Sequence, residues 1–141
     1  MARAARKLKS APKPRGFAEE AQPFLHDDIV RGVPARRVQE LIDRGVLGQK
    51  AVYRAIPERT FKRRLAKRDV LKAPEADAIA RLLRVTEAAR KAFGEEDFAR
   101  KWLNLPVPSL NGAIPIELAE TDAGAREVED VLGRFMHGII G

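Results

Sequence analysis

The side chains best suited to chemistry are cationic and crowd into one stretch. "ERTFKRRLAKR", from Glu58 to Arg68, carries six basic residues against a single acid. Wound at about 100° per residue, it places Phe61 and Leu65 on one face and Arg59, Arg63 and Ala66 opposite. Lys62 lies on one flank, Thr60 and Lys67 on the other, and Arg64 and Arg68 stand nearer the apolar face. A guanidinium can grip the two acceptors on the major-groove edge of guanine, whereas ammonium groups chiefly neutralise phosphate. Arg59, Thr60 and Arg63 are therefore expected near base edges. Lys62, Arg64 and Lys67, with Lys50 and Arg54 from the preceding segment, are expected on phosphates. A solvated charged helix is the alternative, but a run of one sign repels itself and gains nothing unless an anion is near.

Catalytic constellations are missing from the pattern. His26 and His137 lack the spacing of a metal-binding pair, and with no cysteine in the chain no thiolate can assist them. Asp27 and Asp28 beside His26 read as a solvated polar segment. Glu95, Glu96 and Asp97 are explained by the positive end of a helix dipole. Glu117, Glu120 and Asp122 gather near a helix start, where they could mimic an anionic ligand. No phosphate-binding glycine loop occurs. A binding protein without cofactor or metal is expected, not an enzyme.

The elements that must hold the basic stretch are helical. "VPARRVQELIDRG" spaces Val38, Leu41 and Ile42 as one helix face, with Gly45 as a stop. "QKAVYRAI" gives a short second helix. Pro57 ends it and can open the basic helix. A short helix, a turn and a cationic helix are the parts of a helix-turn-helix, in which the first braces the backbone and the second reads the groove. Pro74 begins a longer helix that Gly94 ends, and "EEDFARKWLN" is a fifth. Pro106 and Pro108 then stiffen an extended loop, Asn111-Gly112 reads as a tight turn, and Pro115 restarts a short helix. Thr121 or Asp122 caps the last helix, which carries Val128, Val131, Leu132, Phe135 and Met136 on one side. Trp102 is expected to bury against the two prolines and Leu110. Neither strand alternation nor an internal repeat appears, so the fold class is all-α.

Charge divides along the chain. Residues 1–16 are basic without an acid, 34–72 carry twelve basic and four acidic residues, and 95–141 carry four basic and nine acidic ones. Such asymmetry suggests two surfaces for two kinds of partner. Residues 1–16 are expected to form a disordered basic arm, 17–94 a helix-turn-helix region with its connecting helix, and 95–141 a small C-terminal domain. No apolar run approaches the roughly 18 residues of a membrane span, and none follows the N-terminal charges as in a secretory signal. The lack of cysteine fits a cytoplasmic protein.

The stretch from Phe98 to Gly138 resembles the C-terminal toxin-binding domain of the Xre/MbcA/ParS antitoxins. Trp102, Leu103, Pro106, Leu110, Gly112, Pro115, Leu118, Thr121, Gly124, Val128, Leu132 and Gly138 occupy the places of that pattern. Val107 and Asn111 depart from it, standing where asparagine and a second glycine are common. "ERTFKRR" is similar to the family's Xre-type helix-turn-helix. The resemblance implies a bacterial antitoxin that covers the active site of a RES-domain toxin, an enzyme that consumes NAD or uses it for ADP-ribosylation. It further implies a homodimer that binds operator DNA, and it makes those twelve residues, with the apolar tail Ile139 and Ile140, the expected toxin-binding set. A free-standing helix-turn-helix repressor whose C-terminal module only dimerises is the alternative, and a nonspecific nucleoid protein is a second.

Overall fold

The computed structural model describes residues 25–138. The expected basic arm, Ile139 and Ile140 lie outside the described residues. The described residues form an all-α fold, with helices α1 (His26–Arg31), α2 (Ala35–Asp43), α3 (Gln49–Ala55), α4 (Glu58–Ala66), α5 (Ala73–Phe93), α6 (Glu96–Leu103), α7 (Pro115–Leu118) and α8 (Asp122–Met136). A single 3-10 turn, Pro108–Leu110, interrupts the loop between α6 and α7. None of these helices is long and apolar enough to cross a membrane.

Apolar spacing and breakers explain most boundaries. Val38 and Leu41 turn inward from α2, Val52 from α3 and Phe61 from α4, all essentially sealed from solvent. Pro57 sits at the N-cap of α4, one position ahead of the helix, with φ −49°. A backbone strap closes this front bundle: the Ala35 N–H donates to Asp69 O at 3.0 Å and the Leu71 N–H to Val33 O at 2.8 Å. Pro74 lies in the first turn of α5 and Gly94 ends it in the left-handed region, φ 72°. α5 has apolar residues on more than one side. Ala76, Ile79, Leu82, Leu83, Val85 and Ala89 are all buried, and one continuous core runs from Val33 through this helix to Leu132.

Helix α6 starts more specifically than a dipole argument requires. The Glu95 carboxylate accepts from the Asp97 and Phe98 N–H groups at 3.2 and 3.3 Å, a true N-cap. After α6 the proline loop folds back on itself. Val107 N–H donates to Ala113 O at 3.0 Å, and Gly112 N–H donates to Val107 O at 2.9 Å. Asn111 and Gly112 both take positive φ, 56° and 80°. Asparagine is among the few residues that tolerate this region, so Asn111 can stand where a glycine is common.

The corner from α7 to α8 fixes the last helix. Thr121 Oγ1 accepts from Gly124 N–H at 3.0 Å. A Cβ at Gly124 would lie 1.9 Å from the Leu118 carbonyl oxygen, so only glycine admits this approach.

Two features differ from the sequence reading. Helix α1 was not expected: it buries no residue fully and therefore has no strong apolar period. Trp102 is half-buried, and its ring partner is Phe93 at 5.4 Å rather than a sealed pocket.

Candidate nucleic-acid and protein interfaces

Helix α4 stands on a buried foot. Phe61 is fully enclosed and its ring lies 6.1 Å from that of Tyr53 on α3, which ties α3 and α4 together. Opposite Phe61, Arg59, Lys62, Arg63 and Lys67 are exposed, with Thr60 half-exposed beside them. Arg59 and Arg63 meet no carboxylate among the described residues. They lie four residues apart on one face, where like charges repel and an incoming anion relieves both. Lys62 pairs with Glu58 at 2.7 Å. That hydrogen bond raises the ammonium group's pKa and keeps it cationic. Lys50 is exposed at the start of α3.

Two expected phosphate contacts are redirected. Arg64 is only 8% exposed. Its Nη2 donates to Glu75 Oε2 at 3.0 Å and its Nε lies 3.0 Å from Oε1. Glu75 Oε1 also accepts the Lys72 N–H at 2.8 Å, so one carboxylate caps α5 and clamps α4 to it. A phosphate cannot reach a guanidinium held inside such a pair, and Arg64 is a positioning residue for α4. Arg54 pairs with Glu120, just after α7, and, at 3.6 Å, with Glu117 within it. Its charge is already engaged by the C-terminal module.

Arg54 is one of four arginines joining the front bundle or α5 to that module. Arg81 donates to the carbonyls of Ala119 and Glu120, each at 2.8 Å, and so caps the end of α7. Arg84 meets Glu129 at 3.0 Å and Asp122 at 3.3 Å on α8. Arg100 of α6 donates to Gly45 O at 3.4 Å. With the continuous core, these contacts hold the cationic helix at a fixed attitude to α6–α8.

In the C-terminal module the expected toxin-binding residues divide by burial. Leu103, Leu110, Pro115, Gly124, Val128 and Leu132 are interior, while Trp102 and Leu118 are half-buried. Pro106, Gly112, Thr121 and Gly138 reach solvent. The interior members cannot touch a partner without unfolding, so they build the module's shape. The sequence pattern thus reports mainly a scaffold.

An exposed apolar cluster adjoins Trp102. Phe93, at the end of α5, has Phe98 and Phe135 edge-on at 4.9 Å each and Trp102 tilted at 5.4 Å. Phe98 is 52% exposed and Phe135 49%. Met136, beside Phe135, is 56% exposed. Sequence reasoning places Phe98 in a helix and Phe135 on a helix face, but neither in a site. The available signal was the concentration of four aromatic rings near the ends of three helices, in a chain with only eight aromatic residues.

Among the described residues no group of three or more His, Asp or Glu could hold a metal ion. A groove between α1, α5 and α8 is lined by His26, Arg81, Arg84, Glu87 and Glu129 among others. It contains no Ser, Thr or Cys nucleophile for a base to activate.

Residues 88–138 match the family described as the antitoxin Xre/MbcA/ParS C-terminal toxin-binding domain. An Antitoxin Xre of Photorhabdus laumondii subsp. laumondii is 30% identical over 139 residues, spanning 95% of this chain and 94% of the relative. An Antitoxin Xre of Pseudomonas putida is 32% identical over 114 residues, or 81% and 72% of the two chains. One from Yersinia enterocolitica is 38% identical over 85 residues, 60% and 57%. Similarity that spans both the front bundle and the C-terminal module, rather than one motif, places the protein: the chain belongs to the Xre antitoxin family.

Proposed function

We propose that this chain is the antitoxin of a type II toxin–antitoxin pair, acting in the bacterial cytoplasm as a homodimer. Its C-terminal module covers the active site of a RES-domain toxin that consumes NAD or transfers ADP-ribose. Its α3–α4 helix-turn-helix binds operator DNA and represses the operon. The protein works by binding and occlusion and has no catalytic step of its own.

The observation that carries the DNA half is the face of α4. Arg59 and Arg63 stand there without a carboxylate among the described residues, on a helix whose foot, Phe61, and flank, Arg64, are locked. Guanidinium groups on a fixed helix can form the bidentate contact to guanine. Lys50, Lys62 and Lys67 would neutralise phosphates around them. The match of residues 88–138 supports the toxin half.

Co-expression with the product of the adjacent gene tests the reading. The chain is expected to restore growth and to shift a promoter fragment in a gel. A chain that shifts the promoter but leaves the toxin active would be a free-standing repressor. Equal affinity for every duplex, with steep salt dependence, would make it a nonspecific nucleoid protein.

A further inference from the structure

The ring cluster around Phe93 has a location, a rigidity and a charge rim that together identify an occupant. Isolated exposed apolar side chains are ordinary, but Phe98 and Phe135 are adjacent to one hub ring and come from different helices. Each is held. The Glu95 cap fixes the first turn of α6 beneath Phe98, and the glycine corner at Gly124 fixes the course of α8 towards Phe135. Rings preset in this way lose little freedom when a partner covers them, which is how aromatic hot spots dominate binding. Glu96 and Asp97 stand exposed immediately before Phe98, with Asp97 already 3.6 Å from Arg100.

Resting on the antitoxin reading, we propose that this cluster is the surface on which the toxin seats. Phe98 and Phe135 enter an apolar recess of the toxin, and a basic group flanking that recess faces Glu96. The occupant is the toxin rather than another protein because every one of these residues lies inside the span that matches a toxin-binding domain. Most of the apolar residues of the toxin-binding pattern are interior and cannot supply the contact. Glu96, exposed beside Phe98, favours a basic group on the partner.

Calorimetric titration of the full chain with the purified co-encoded toxin tests this. Phe98→Ala and Phe135→Ala are each expected to weaken binding by roughly 30-fold, and the pair by on the order of several hundredfold. A pair that binds within about threefold of wild type would overturn the docking assignment and leave the antitoxin reading intact. Absence of binding by the wild type would overturn both. If the paired variant loses its fold, 5-fluorotryptophan at Trp102, the single tryptophan, reads the same surface in the unsubstituted chain. Toxin is expected to suppress the solvent-isotope shift of the fluorine signal, and an unchanged shift would reject the proposal. A paired variant that turns a dimer into a monomer yet keeps wild-type toxin affinity would reassign the rings to a second copy of this chain.

Discussion

The outer face of α4 and the ring cluster at the ends of α5, α6 and α8 are both short helical surfaces on buried anchors, yet each leaves a different cost unrelieved. On α4 the cost is repulsion between guanidinium groups four residues apart, which only an anion relieves. On the ring cluster it is aromatic area left in water, which only an apolar surface relieves. The kind of cost identifies the kind of partner more sharply than net charge does. Both faces are also held by the same means, since Arg64–Glu75 clamps one and the Glu95 cap with the Gly124 corner braces the other.

Substitutions that unseat one face without touching the other would sharpen this contrast, and the largest effect is expected at Gly124. Gly124→Ala forces a methyl group against the Leu118 carbonyl and should cost about 3 to 5 kcal/mol or prevent folding of α7–α8. Thermal denaturation followed by circular dichroism reads it, and a wild-type midpoint would mean the corner is not fixed. Next, Glu75→Ala leaves the mostly buried Arg64 guanidinium without its partner, for roughly 3 kcal/mol of stability. Chemical denaturation measures that loss; Glu75→Ala should also loosen α4 and lower DNA affinity even where the variant stays folded. Trp102→Ala, on a half-buried ring leaning on Phe93, should cost only about 1 to 2 kcal/mol, well below the loss for a sealed tryptophan. A larger loss would show that the ring is part of the core rather than of the surface. The smallest effect is expected for Arg54→Ala. Its pairs with Glu117 and Glu120 are substantially exposed, so stability should fall by less than about 1 kcal/mol, and raised salt should erase the difference.

Much of the framework was legible. Pro74, Gly94 and Thr121 mark helix ends because each has a local backbone reason to stand there, and local reasons survive in sequence. The fates of individual arginines were not legible. Helical spacing sets Arg64 nearer the apolar face than Arg59 and Arg63, but only Glu75, eleven residues away, makes it a clamp. Arg54 is claimed by Glu120 across 66 residues of chain. Helical spacing locates a face but does not identify the element that meets it. The C-terminal pattern misled in a related way. Most of its apolar residues are buried and hold the module's shape, so they point to the family without marking an exposed surface. Gly124 was visible as a required glycine, whereas its reason, the Leu118 carbonyl, exists only once the corner is folded.

The central claim is that nucleic acid and toxin use separate faces of one rigid body. The most direct test compares Arg59→Ala/Arg63→Ala with wild type in two titrations on the same preparation, one with operator DNA and one with toxin. The account predicts operator affinity lower by at least about 30-fold, with a salt slope shallower by up to two, and toxin affinity unchanged. Loss of both affinities together in a variant that melts like wild type would contradict it.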